Sequence, residues 1–273
     1  MDAMKSMKLY DHVDRIPAEL RALGFGDSDP LNVEALSTLD QFHYHGVEAV
    51  NAAMERCGIG PKTRVLEVGA GVGGPARWIA AKSGAVVAAV ELQRDLNDLA
   101  QSLTRRCGLD DRVRHLCADI LAGPPKGAPF DCVTSFLCFL HIANRPQLFG
   151  VLNDSLAAGG TLYVEDFVAL REPTPDEARA LAVKVQCPWL PTAAQYRDDL
   201  ARHGFIVEDL ADRSVDWTAF TNERLGAFRA NRARFVALHG KECFDGLEDF
   251  YAAVAGLFAN GSIGGVTIVA RKA

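Results

Sequence analysis

RVLEVGAGVGGPAR, residues 64–77, is an apolar run that ends in an acid, turns on closely spaced glycines and enters a helix at Pro75. This is the order strand, tight loop, helix N-terminus, the arrangement that binds ligands at the edge of a parallel sheet. Gly69, Gly71 and Gly73 allow a sharp turn and let the backbone and its N–H groups approach a ligand without a Cβ in the way. Pro75 costs nothing in a first helical turn, where its missing N–H would have no partner.

Strand and helix signals alternate outward from this stretch. The spacing predicts strands over 85–90 (ending at Glu91), 113–117 (before Asp119), 132–137, 161–168 and 205–210, and a last strand in GGVTIVARKA, residues 264–273. Helices are predicted over 75–83, 96–107, 146–156 (closed by Gly159 and Gly160), 217–238 and 247–260, and two more begin at the capping boxes Thr174–Glu177 and Thr192–Gln195. Alternation of this kind makes an α/β sheet covered by helices on both faces. Residues 1–60 read as helices, over 10–23 and 46–57, and are too few for a core of their own. The expected organisation is therefore a helical cover, 1–60, packed on one domain, 61–273, with a helical insertion near 214–262.

The loop fits two ligand classes. Gly69-x-Gly71-x-x-Gly74 matches the dinucleotide fingerprint of NAD(P)-dependent oxidoreductases, whereas Glu67-x-Gly69-x-Gly71-x-Gly73 matches the loop that binds S-adenosylmethionine (SAM). Glu67 separates them, because a carboxylate at the end of a buried strand needs a hydrogen-bonding or cationic partner. SAM carries an ammonium and a sulfonium; a pyrophosphate adds negative charge.

The 273 residues carry a net charge of -6, with 49% apolar and 23% charged residues, which is the balance of a globular protein and disfavours a nucleic-acid partner. No apolar run is long enough to span a membrane, and the first residues lack a signal-peptide core, so a cytoplasmic protein is expected. The seven cysteines are scattered without a CxxC pair, which indicates neither a metal site nor a disulfide framework.

With GVGGPAR as its most specific part, the pattern over residues 40–273 resembles the class I SAM-dependent methyltransferases of small-molecule metabolism. The run is similar to the loop of sterol C-methyltransferases, with related forms in tocopherol and glycine-betaine enzymes. HGVEAV before the loop and a histidine after the fourth strand resemble phosphoethanolamine methyltransferases. The resemblance implies a Rossmann-like seven-stranded sheet whose last strand is antiparallel and lies between the fifth and sixth. It also implies that Glu67, Gly69, Ala70, Gly71, Gly73 and Phe136 border SAM. Glu91 would accept from the ribose hydroxyls with Leu92 and Gln93 beside it, and Asp119 would accept from the adenine amino group with Ile120 against the ring. A protein that binds SAM without catalysis would have the same loop.

Methyl transfer needs an acceptor atom held in line with the methyl carbon and shielded from water. His141 is the first candidate for a general base or orienting group, or else it caps the next helix. Phe42-His43-Tyr44-His45 supplies further candidates: Tyr44 and His45 for catalysis, His43 for binding the acceptor. The resemblance leaves Tyr10 and Tyr44 as alternatives for an N-terminal active-site tyrosine. Glu165 and Asp166 end the predicted fifth strand, where an acid such as Asp166 could bind a cationic amine. Trp189, Tyr196, Trp217 and Phe220 could line the acceptor pocket or cage an onium group.

Overall fold

The computed structural model describes residues 12–273. Tyr10 lies outside the described residues. Among the described residues α1 (Arg15–Ala22), α2 (Val33–Asp40) and α3 (Gly46–Arg56) precede β1 (Arg64–Val68). Then follow α4 (Gly74–Ser83), β2 (Val86–Glu91), α5 (Arg94–Arg106), β3 (Val113–Cys117), β4 (Phe130–Phe136), α6 (Arg145–Ser155) and β5 (Leu156–Ala169). The chain continues through α7 (Pro175–Lys184), α8 (Ala193–Arg202), β6 (Phe205–Asp212), α9 (Ser214–Ala230), α10 (Arg232–His239), α11 (Lys241–Ala259) and β7 (Ile263–Lys272). Single 3-10 turns at Ile120–Ala122 and Phe139–His141 follow β3 and β4.

The seven strands form one sheet in the order β3-β2-β1-β4-β5-β7-β6. β1 to β5 pair in parallel, and β7 runs antiparallel between β5 and β6. This is the strand order that the resemblance implies, with the last strand antiparallel between the fifth and sixth. Strand alternation builds a core on each face: Leu66, Ala88 and Val133 pack on one side, Val65, Val87 and Cys132 on the other. Chain reversal between β1 and β4 leaves the carboxyl ends of β1 to β4 open as a crevice.

Both capping boxes form, with Thr174 and Thr192 each exchanging hydrogen bonds with the residue three further on. Other boundaries differ from the sequence reading. The sequence reading has no helix at α2; its N-cap is Asn32, whose Oδ1 accepts from the N–H groups of Glu34 and Ala35. Gly159 and Gly160 belong to β5 and do not close α6, which stops at Ser155. β5 stays paired with β7 through Ala169, so Asp166 lies within the strand and not at its tip. The long helix expected over 217–238 divides at Asn231, and α11 starts earlier than expected, behind Gly240.

α9, α10 and α11 occupy the predicted insertion between β6 and β7 and pack with Tyr44, Leu140 and Phe167 around Trp217. The N-terminal helices reach this insertion from the other side, where Glu19 pairs with Arg234 and His239. Asp40 and Phe42–Tyr44, with residues of α9 and α11, line the crevice above the sheet.

Candidate functional site

A cavity of about 430 Å3 opens at the carboxyl ends of the strands. Residues after β1, β2, β3 and β4 line one part of it; α9, α11 and the 42–44 segment line the rest.

β1 delivers Glu67 to the cavity wall almost wholly buried, and among the described residues its Oε2 has no hydrogen-bond partner. Burial pushes its carboxyl up to about 8 against the opposing pull of Arg77. A buried carboxyl oxygen without a partner can take a hydrogen bond or a cationic group. Gly69 turns with φ +77°, and a Cβ there would meet the Cys138 Sγ at 2.2 Å, so the loop and the β4 loop close on one another.

The loop amides turn inward. Gly69 and Ala70 donate to the Val90 carbonyl at 2.9 and 3.0 Å, and Gly73 donates to Ala70 at 2.8 Å. The Gly71 amide donates to Glu91 Oε2 at 2.9 Å, while Glu91 Oε1 accepts from the Gln93 amide at 2.8 Å. Glu91 thereby ties the loop to β2 and faces the cavity with Leu92 and Gln93. A carboxylate offers about four lone-pair sites, enough to accept from a diol as well. The loop's service to a ligand is close approach and not the offer of these amides.

Asp119, Ile120 and Phe136 also line the cavity; Asp119 Oδ1 accepts from the Leu121 amide at 2.9 Å and so fixes the turn. Gly73 does not line it. It is the helix N-cap at φ +80°, and a Cβ there would meet His115 at 2.6 Å and the Arg77 guanidinium at 2.8 Å. Its task is packing around Arg77, which is fully buried and bound to Asp40 at 2.8 Å.

The candidate acceptor residues divide. His141, His43 and Tyr44 line the cavity. His141 Nδ1 lies 3.2 Å from the Gln186 carbonyl, which assigns the proton of the neutral ring to Nδ1 and leaves Nε2 as the acceptor. Burial lowers its pKa and keeps the ring neutral. His43 donates from Nε2 to the Gly46 carbonyl at 2.9 Å, and burial brings it down to about 4. Tyr44 is buried edge-on to Trp217, and burial raises its phenol.

His45, Asp166, Trp189 and Trp217 do not line the cavity. His45 heads α3 in a left-handed conformation with Nε2 3.0 Å from the Asp216 carboxylate. Asp166 is fully buried and satisfied by Arg145 at 2.9 Å, Tyr196 Oη at 3.1 Å and the Leu140 amide at 3.0 Å. It braces the β4 loop and has no reach to an amine. Trp189 is half exposed, and Trp217 is packed into the core against Gly265.

The sequence reading missed Arg145, which neutralises Asp166, and Arg224, which enters the cavity wall from α9. A basic residue four positions after His141, or inside a mixed helix, carries no local pattern that marks either role.

Residues 40–210, more than half of the chain, match the family model for the methyltransferase domain. Methyltransferase GfsG of Streptomyces halstedii is 30% identical over 60% of this chain and 59% of its own length. Phosphoethanolamine N-methyltransferase 1 of Zea mays is 27% identical over 73% of this chain and 39% of its own. The chain thus spans between about two-fifths and three-fifths of the length of these relatives. Among solved structures, a phosphoethanolamine N-methyltransferase 2 of Haemonchus contortus, bound to phosphomonomethylethanolamine and S-adenosylhomocysteine, superposes with TM-score 0.77 at 21% identity. That match covers 93% of this chain and 59% of the other and shows the shared fold. Strand order, loop and domain match agree: the chain belongs to the methyltransferase-domain family.

Proposed function

We propose that this protein transfers a methyl group from SAM to a nucleophilic atom of a small organic acceptor. The observation that carries the reading is Glu67 Oε2, buried and unpartnered in the wall of a cavity that Glu91 also faces. The chemistry of this wall fits SAM. Glu67 suits its ammonium, Glu91 its ribose hydroxyls, and Ile120 and Phe136 its adenine and thioether flanks, while Asp119 accepts from the adenine amine. A dinucleotide would bring a pyrophosphate toward the same carboxylate, which disfavours the nicotinamide reading.

When bound, SAM supplies an electrophilic methyl carbon on a sulfonium. The chain's own residues supply position and dryness. Orientation of two reactants can account for about 7–11 kcal/mol of a barrier. Leu140, Phe167 and Phe250 exclude water from the acceptor side of the cavity. His141 Nε2 takes a proton from an acceptor that must lose one, and the neutral imidazole is the form able to do so. Tyr44 and His43 complete the wall, with Tyr44 serving as a hydroxyl donor to the acceptor.

Residues 12–60 and the 214–262 insertion act as the cover of this site, and the cytoplasm fits the free thiols of all seven cysteines. Among the described residues no helix is long and apolar enough to cross a membrane. The net charge of -6 favours small molecules over nucleic acid as partners.

Titration calorimetry with S-adenosylhomocysteine (SAH) tests the reading. SAH should bind the wild type and NADH should not. Folded protein that binds NADH and ignores SAH would refute it.

A further inference from the structure

α9 carries a guanidinium into the cavity wall, and among the described residues Arg224 is the single Arg or Lys there. Its centre stands 4.7 Å from the Phe220 ring, 4.9 Å from Tyr44 and 5.7 Å from Tyr251. Nη2 donates to the His43 carbonyl at 2.9 Å. Among the described residues it has no carboxylate partner. An arginine has five N–H donors in a rigid fork, so the carbonyl and the rings leave most of the fork unmatched.

Of the aromatics that could have caged an onium group, Phe220 already stands against a cation of the protein's own, together with Tyr44 and Tyr251. Of the acids of the wall, Asp40 is bound to Arg77, and Glu67, Glu91 and Asp119 stand at the ends of β1, β2 and β3, where the proposed reading places SAM. Asp166, the acid nearest in sequence to Phe167, is spent on Arg145. A cationic amine would find like charge where Arg224 stands and no acid to offset it.

Phe42, Arg224 and Tyr251 also line an outer groove of about 410 Å3, which Arg15 lines as well without reaching the cavity. Arg224 thus marks the junction of groove and cavity. Inward from it the wall is apolar, with Leu140, Phe167, Val185, Phe250 and Val254.

We infer that the methyl acceptor is an organic acid whose single carboxylate is held by Arg224 at the mouth and whose largely apolar body carries a protic nucleophilic atom inward beside His141, where that atom bonds to the methyl carbon as the methyl–sulfonium bond breaks to leave SAH and its proton passes to His141 Nε2. This rests on the methyltransferase reading and adds the substrate class. One guanidinium matches one negative charge and its planar fork matches a carboxylate in two-point contact. A rim formed by three aromatic rings lowers the local dielectric and strengthens that contact.

The test uses SAH-loaded protein and three probes on one frame: cinnamate, cinnamyl alcohol and cinnamylamine, followed by the same series on naphthyl and decyl frames. Binding of SAH is measured first on the wild type, Arg224→Gln and Arg224→Lys. Absence of SAH binding by the wild type would fail the methyltransferase reading itself. Retained SAH binding by the variants shows that they fold. On at least one frame the acid should bind most tightly and the amine least. Arg224→Gln should weaken that acid about tenfold or more while leaving the alcohol nearly unchanged, the loss expected for a charge-assisted pair. Arg224→Lys should restore part of the acid's affinity. With SAH bound, any of three results would overturn the inference: an amine that binds as well as its acid, an acid indifferent to Arg224→Gln, or no acid binding up to its solubility limit.

Discussion

The two ends of the cavity are built in opposite ways. The end at β1 to β3 is made by residues at or just beyond the carboxyl ends of the strands: Glu67 to Gly71, Glu91 to Gln93, and Asp119 with Ile120. The other end gathers side chains from the 42–44 segment, the loop after β4, β5, α9 and α11. The first is fixed by strand register and backbone hydrogen bonds, the second by packing between a cover and an insertion. A scaffold of this kind can keep one ligand constant while the other changes, because substitutions on α9 or α11 do not disturb the loop.

The comparison is broken most severely at the brace between the two ends. Asp166 and Arg145 are buried together, and Asp166 also holds the Leu140 amide of the β4 loop. Asp166→Ala leaves a buried guanidinium uncompensated, and we predict a loss of about 3–5 kcal/mol in urea unfolding. The protein that remains folded should still bind SAH. Retained stability would mean that water reaches the pair and that the β4 loop does not depend on it.

Glu91→Ala sharpens the contrast at the constant end. The substitution removes the acceptor for the Gly71 and Gln93 amides as well as for the ligand's diol. SAH affinity should fall about 100- to 1,000-fold, with unfolding midpoint reduced far less than by Asp166→Ala. A Kd for SAH within experimental error of wild type would detach Glu91 from the ligand.

His141→Ala probes the variable end and should separate turnover from cofactor binding. Removal of a positioned base should lower kcat about 100-fold with an acceptor that must lose a proton, while the KM for SAM stays constant. Because burial holds the ring neutral, the acid limb of the wild-type rate profile should fall below the ordinary imidazole value of about 6.5. Turnover unaffected by the substitution would reduce His141 to a structural residue.

The same division explains what the sequence disclosed. Glu67, Glu91 and Asp119 were readable because a strand end fixes where its next side chain points, and strands announce themselves by local pattern. Asp166 and Trp217 were not, because their surroundings are set by distant chain. β5 runs on past Asp166 only because β7 returns to pair with it, and Trp217 fits a hollow that a Cβ on Gly265 would fill at 2.1 Å. Gly73 misled for the converse reason. In the sequence it stands in the same spacing as Gly69, yet its space is taken by His115 and Arg77 and not by a ligand. Helix propensity likewise placed one helix over 217–238, where tertiary packing divides α9 from α10.

Glu67 offers the smallest effect and the most specific. In the free protein its carboxyl is raised to about 8 by burial, so at neutral pH the folded chain holds a proton that the unfolded chain, near 4.5, has released. Its contribution to folding is therefore fully present below the unfolded value and is lost as pH rises toward about 8. An ammonium placed beside it reverses the preference and favours the ionised form. SAH binding at pH 7 should release up to about one proton, and affinity should rise about tenfold from pH 7 to a plateau above 8. Calorimetry in buffers of different ionisation enthalpy reads this directly: the apparent enthalpy should depend on the buffer for wild type and become independent of it for Glu67→Gln. A wild-type enthalpy that is the same in every buffer would mean that the ligand's positive end lies elsewhere, and the constant end of the cavity would need another account of Glu67 Oε2.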